Sequence, residues 1–237
     1  MTMYKNKYSI YHHYKKYILG GQYMKNDLFE KDVYYNKVGE PIERVKTHNV
    51  ELLEKLRNGK IRLAGNILHS SLVNGEGCRM VIFTQGCLHH CPGCFNPETH
   101  DVDGGKEFDI QYLVEEFEKD CPFIDGITLS GGDPILQYDK LIDFCKYVKS
   151  RNKTIWCYTG YTFEQLISMS LEKGKESLQD FLCLIDVLVD GKFKQELKEE
   201  GLKFRGSSNQ RIINIKLSLD SGQIVPQYAT DVEYKNE

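Results

Sequence analysis

The chain has 237 residues, 41% hydrophobic and 27% charged; this ordinary globular balance excludes wholesale disorder and allows a core without disulfides. Thirty-one Lys and Arg against 34 Asp and Glu leave a net charge of -3, which argues against a protein that coats nucleic acid through an excess of cations. No uncharged apolar run approaches the ~18–20 residues of a membrane span, since the best run, 181–189, is broken by Asp186, and the first residues lack the apolar stretch and small-residue cleavage site of a signal peptide.

Residues 1–64 read as an N-terminal extension, partly helical or poorly ordered. Tyr4, Tyr8, Tyr11, Tyr14 and Tyr17 alternate with Lys and His, at a spacing that one helix face would share, and Met24 opens a more ordinary stretch. The aromatic and basic residues could touch RNA or an acidic membrane; the plainer reading is an accessory tail. Residues 49–57 are predicted as a short helix, with Asn49 as N-cap, Val50, Leu53 and Leu56 inward, and Asn58-Gly59 as stop.

From residue 80 the pattern becomes regular. Strands are predicted at 80–84, 126–130, 154–159, 184–189 and 212–217. Between them lie three helix faces: Ile110, Leu113, Val114 and Phe117; then Tyr138, Leu141, Ile142, Cys145 and Val148; then Phe163, Leu166, Ile167 and Leu171. Strands alternating with helices predict an α/β domain over 65–217 with a mostly parallel sheet, followed by a polar tail at 218–237. In such sheets ligands collect at the carboxyl ends of the strands. Three loops fall there: 85–96, 131–134, and Gly160-Tyr161.

With no export signal, the eight cysteines read as thiols of a reducing cytoplasm rather than as four disulfides. Cys78, Cys121, Cys145, Cys157 and Cys183 stand alone and read as packing residues. Cys87, Cys91 and Cys94 are clustered as C-x3-C-x2-C directly after a strand. Three thiolates in eight residues can wrap one inorganic centre. A four-iron cluster normally takes four cysteines, so three would leave one iron open to bind something else. The spacing also admits a closed zinc knuckle with His89, His90 or His100 as fourth ligand, a Cys91-Pro92-Gly93-Cys94 redox pair, or cysteines that bind nothing.

The cysteine loop resembles the cluster motif of the radical S-adenosylmethionine superfamily. The resemblance extends through Asn74-Gly75-Glu76-Gly77-Cys78-Arg79, Gly93-Cys94-Phe95-Asn96-Pro97-Glu98-Thr99, Ser130-Gly131-Gly132-Asp133-Pro134, residues 156–163, Asp190-Gly191-Lys192-Phe193 and Arg205-Gly206-Ser207-Ser208-Asn209-Gln210-Arg211. That ordered set, over roughly 65–213, resembles the activating proteins of anaerobic ribonucleoside-triphosphate reductase. The resemblance implies an incomplete TIM-like barrel of parallel βα units. It implies a [4Fe-4S] cluster on Cys87, Cys91 and Cys94, and S-adenosylmethionine held near Gly93, Cys94, Phe95, Gly131, Gly132 and Asp133. Reductive cleavage of that cofactor would yield a 5'-deoxyadenosyl radical, which would make a glycyl radical on the large catalytic subunit of the reductase. A reducing donor such as flavodoxin or ferredoxin is implied, and neither membrane nor nucleic acid. Gly93 stands where many radical enzymes have an aromatic residue, a departure the reductase-activating branch shares. Asp133 stands in place of the superfamily's glutamate. Two alternatives remain at this point: an activase of another glycyl-radical enzyme such as pyruvate formate-lyase, and a zinc-stabilised nucleic-acid-binding module. Asp190-Gly191-Lys192 and residues 205–211 read, apart from the resemblance, as ordinary polar loops. Tyr158 and Tyr161 read as packing residues, and His89 and His90 as solvated or supporting groups rather than ligands.

Overall fold

The structure, a computed structural model, describes residues 59–228 and the backbone of two strands before them, β1 (Phe29–Tyr35) and β2 (Pro41–Thr47), which pair antiparallel. The sequence reading did not identify that hairpin. The tyrosine-rich stretch and the helix predicted at 49–57 lie outside the described residues.

Eight further strands form one sheet: β3 (Lys60–Leu63), β4 (Leu68–Ser71), β5 (Arg79–Thr84), β6 (Lys106–Asp109), β7 (Gly126–Gly131), β8 (Thr154–Tyr158), β9 (Val187–Asp190) and β10 (Arg211–Asn214). Their order is β10-β9-β8-β7-β5-β3-β6, with β4 on the side of β5. The central strands β5, β7, β8 and β9 are parallel, as expected. The flanks are antiparallel: β10 against β9, β3 and β4 against β5, and β6 against β3. The sequence reading does not include β3, β4 and β6, each four residues long: β4 and β6 carry little alternation, and the alternation of β3 is too short to stand out. Both β3 and the last residues of helix α5, below, extend beyond the 65–217 span.

Among the described residues, five α-helices lie between or after the strands: α1 (Ile110–Asp120), α2 (Tyr138–Ser150), α3 (Phe163–Ser170), α4 (Ser177–Leu184) and α5 (Ile215–Ser221). Their apolar faces meet Met80, Ile82, Ile127, Leu129, Ile155, Cys157, Leu188 and Ile213 in one buried core. The predicted faces of α1 and α2 are buried or partly buried; on α3, Leu171 is the C-cap and lies partly outside. Because side chains alternate along a strand, the opposite sheet face carries a different set. Trp156, Val187, Val189 and Ile212 cluster there, with Tyr158, Phe204 and Tyr228 against them.

Arg79 lies on that second face, fully buried. It donates to Thr128 Oγ1 at 2.8 Å, Glu76 O at 3.0 Å, Thr154 Oγ1 at 3.0 Å, Thr154 O at 3.1 Å and Ile127 O, with Trp156 5.6 Å from its charge. Burial lowers its pKa to about 10, so it remains a cation at neutral pH, solvated by carbonyls and hydroxyls in place of water. Those contacts anchor the segment before β5.

Two boundaries differ from the sequence reading. The apolar run before β9 is mostly helical, because Leu178, Phe181 and Leu182 repeat at helix spacing and are buried. Asp186 ends it by accepting from Ile155 N at 2.7 Å and from Lys149 Nζ. The fifth strand stops at Asn214, which caps α5 by accepting from Leu217 N at 2.9 Å.

An ion cluster joins α3, β9 and β10. Arg211 spans Glu164, at 3.1 and 2.8 Å, and the buried Asp190, which also accepts from Phe163 N at 2.7 Å. The Arg211 guanidinium bound to Glu164 lowers that carboxyl to about 2 from 4.5. A depressed carboxyl pKa stabilises the fold above the unfolded value and loses that contribution as pH falls toward the folded one. Stability measured by denaturation is therefore expected to fall between about pH 4.5 and pH 2 partly through Glu164. Arg211→Met is expected to remove that share of the acid slope and to cost about 2 kcal/mol at neutral pH, less than a fully buried pair because Arg211 and Glu164 are partly exposed. An unchanged acid slope in the variant would contradict this.

Candidate metal centre at the carboxyl edge of the sheet

The cysteine loop leaves β5 after Thr84 and is closed at its base. Gln85 Nε2 donates to Glu98 O at 3.1 Å and Asp101 O at 2.6 Å, and Gln85 O accepts from Gln137 Nε2 at 2.9 Å. Gly86 N bonds Thr99 O at 2.9 Å and Cys87 N bonds His100 O at 3.2 Å. Inside the loop, Cys94 N reaches Cys91 O at 3.1 Å across Pro92-Gly93, and Gly93 supplies a φ of +70°. A side chain at Gly93 would also meet Gln195 at 2.6 Å.

Cys87 is buried, and Cys91 and Cys94 are half-buried. Cys94 Sγ accepts from Asn96 N at 3.4 Å. Burial pushes the free thiols of Cys87 and Cys91 up, and hydrogen bonding from the backbone at His89 and at Phe193 opposes it. Donors aimed at sulfur favour the anionic thiolate that a metal requires. The five solitary cysteines are elsewhere: Cys121, Cys145 and Cys157 are in the core, and Cys78 and Cys183 pack against it.

The loop after β7 runs directly along the base of the cysteine loop. Gly132 N bonds Thr84 O at 2.8 Å and Asp133 N bonds Gly86 O at 2.8 Å. A Cβ on Gly131, whose φ is +99°, would stand 2.6 Å from Thr84 N, and one on Gly132 would stand 2.2 Å from Gly86 O. Both glycines are thus demanded by backbone packed on backbone. Asp133 is 1% exposed. Its Oδ1 accepts from Ile135 N at 3.0 Å, and its Oδ2 accepts from Thr159 Oγ1 at 2.9 Å and Gly160 N at 3.0 Å and pairs with His89 Nε2 at 2.7 Å. The three loops singled out from the sequence therefore meet at one carboxylate.

His89 is packed inside, edge-on to Tyr161 at 4.5 Å, whereas His90 faces His100 at 5.0 Å. Tyr158 packs with Trp156 on the second sheet face, away from His89.

A fourth contributor lies outside the sequence-based site: the paired loops 191–197 and 205–210. Phe193 lies 5.0 Å from the half-exposed ring of Phe95, and Lys198 Nζ lies 5.1 Å from the centroid of that same Phe95 ring. A side chain on Gly206 would meet both phenyl rings at 3.0 Å. Gln210 holds the pair together by accepting from Gly206 N and Ser207 N and donating to Gly191 O, while Asn209 Nδ2 donates to Lys192 O. The available signal was the density of Ser, Asn and Gln, side chains that bond backbone groups in loops.

The donor set suits an iron–sulfur cluster. Its three sulfurs come from one short loop, with Cys87 buried and Cys91 and Cys94 half-buried. Among the described residues, no group of three His, Cys, Asp or Glu side chains is arranged to hold a metal ion; cluster cysteines differ in that each takes its own iron.

A family described as a 4Fe-4S single cluster domain matches residues 73–213. A relative from Haemophilus influenzae, named anaerobic ribonucleoside-triphosphate reductase-activating protein, is 37% identical over 155 residues, which is 62% of this chain and 95% of the relative. Proteins of the same name from Enterobacteria phage T4 and Escherichia coli K12 are each 37% identical, over 147 residues (59% of this chain, 86% of the relative) and 153 residues (61% and 94%). By that extent of match, and with the cysteine loop and both glycine-bearing edges inside it, the chain belongs to the 4Fe-4S single cluster family and, within it, to the group of anaerobic ribonucleoside-triphosphate reductase-activating proteins.

Proposed function

We propose that this protein activates an anaerobic ribonucleoside-triphosphate reductase by radical S-adenosylmethionine chemistry. The observation that carries the reading is the loop of three cysteines, one buried and two half-buried, at the carboxyl edge of a parallel sheet, in a member of this family. Cys87, Cys91 and Cys94 would hold a [4Fe-4S] cluster. When bound, the cluster supplies the electron that cleaves the cofactor's carbon–sulfur bond, so that a 5'-deoxyadenosyl radical can take hydrogen from a glycine of the reductase.

This chain's own contribution is placement and exclusion of water. The carbonyl edge at Gly131 and Gly132 would accept from the cofactor's ammonium, and the backbone at 93–95 would carry its adenine. Phe95 and Phe193 would wall the side nearest Cys91. The helices occupy one sheet face, so the other, lined by Trp156 and Tyr158, would be the inner wall of a partial barrel that a macromolecular substrate completes. Its setting would be a reducing cytoplasm with a low-potential donor such as flavodoxin or ferredoxin. No helix among the described residues is long and apolar enough to cross a membrane. The shared name of the relatives favours the reductase over pyruvate formate-lyase as target. The 4Fe-4S description disfavours a zinc-stabilised nucleic-acid module.

After oxygen-free reconstitution, the wild-type chain is expected to hold about four irons. Cys87→Ser, Cys91→Ser and Cys94→Ser should each lose most of that iron and its visible absorbance, whereas Cys145→Ser should keep both while losing some stability in the core. Full iron in any of the first three would remove that residue from the ligand set. Mixing the reduced protein with S-adenosylmethionine and the reductase subunit is expected to yield a glycyl-radical doublet in electron paramagnetic resonance. Cofactor cleavage without a doublet would refute the substrate while leaving the chemistry standing.

A further inference from the structure

The cysteine loop contains two adjacent histidines that the structure treats differently. His90 is exposed with a φ of +46° and faces His100. The side chain of His89 is 8% exposed, and its Nε2 lies 2.7 Å from Asp133 Oδ2. One ring edge meets Tyr161, and the backbone of Gly160 lies so close that a Cβ there would stand 2.3 Å from His89 Cδ2. The glycine after Thr159 thus makes room for this imidazole.

We propose that His89 is a positioning residue: through Asp133 it sets the three cysteines against the Gly131–Gly132 edge, where the cofactor is to be gripped. The inference rests on the function proposed above. Asp133 Oδ2 is shared with Thr159 Oγ1 and Gly160 N, and Oδ1 caps the turn after Gly132. One imidazole therefore ties the loop after β5 to the loops after both β7 and β8. The bonds at Gly86 and Cys87 hold only the loop's base, and Cys94 N to Cys91 O closes it on itself. The segment between Cys87 and Cys91 takes its place from the contact of His89 with Asp133. In this arrangement the carboxylate of Asp133 is occupied by protein donors, and its effect on the cofactor is transmitted through the edge it holds. Orientation of reacting groups by a pre-formed hydrogen-bonded frame is worth large factors in rate, and a shift near 1 Å is enough to lose them.

The test compares the full-length wild-type chain with His89→Gln, whose amide can still donate to Asp133, and His89→Leu, which fills space without donating. Each is reconstituted without oxygen and reduced, and S-adenosylmethionine is titrated through the change it makes in the cluster's electron paramagnetic resonance spectrum. His89→Leu is expected to bind the cofactor at least tenfold more weakly and to shift the cluster's midpoint potential; His89→Gln should stay within about threefold of wild type. In parallel, amide hydrogen exchange over residues 88–94 of the reduced, metal-free chains should be at least tenfold faster in His89→Leu and near wild type in His89→Gln. Equal affinity and potential in all three proteins, or Gln and Leu variants that behave alike, would overturn the proposal. If His89→Leu takes up no iron, the exchange comparison decides: unchanged rates refute the latch. A wild-type chain that binds iron but gives no response to S-adenosylmethionine would count against the proposed function, and the exchange rates would still judge the latch separately.

Discussion

A single buried carboxylate holds the working edge of this sheet together. Asp133 is almost wholly removed from water and would be costly there without partners. It receives Ile135 N, Thr159 Oγ1 and Gly160 N, and pairs with His89. Each donor belongs to a loop that could otherwise move on its own. Because the charge is stabilised only when these donors converge, the burial of one side chain imposes mutual register on three strand ends. The close backbone packing of Gly131 and Gly132 against Thr84 and Gly86 does the same at shorter range, and leaves no room for side chains that would separate the loops.

A second joint stands one strand further along. Arg211 binds Asp190 and Glu164 together, and Asp190 also receives Phe163 N, so the end of β9, the start of β10 and the start of α3 share one charge network. Its planar fork suits two carboxylates at once, which a lysine would not match. Directly after Asp190 the chain enters the loop that brings Phe193 to the ring of Phe95. The residues Asp190 and Arg211 thus act on the candidate site by fixing where the two covering loops begin and end. On the far face, Arg79 does comparable work for the segment before β5, with carbonyls and hydroxyls in place of carboxylates.

The parallel centre of the fold was legible because β5, β7, β8 and β9 are buried on both sides and read as short apolar runs between helix-period segments. The boundary around Leu184 was not, because an apolar run of that length carries no sign of whether it is helix or strand, and the deciding contacts of Leu178, Phe181 and Leu182 are tertiary. The antiparallel direction of β10 depends on pairing with β9 rather than on any residue pattern within it. The flanking strands β3, β4 and β6 owe their state to the edge that β5 offers them and to each other.

What the amino-acid order determined by itself was the chemistry: three cysteines at C-x3-C-x2-C spacing are close because they are close in the chain, and so are the paired glycines that follow the next strand. Residues far apart in sequence had to wait for the tertiary structure. It alone decided that His89 and Asp133 meet across 44 positions, that Phe193 packs on Phe95, and that Arg211 bridges two carboxylates from different elements. The reason is physical: local spacing is carried by the covalent backbone, whereas a hydrogen bond between distant segments exists only once packing has paid the entropy of bringing them together.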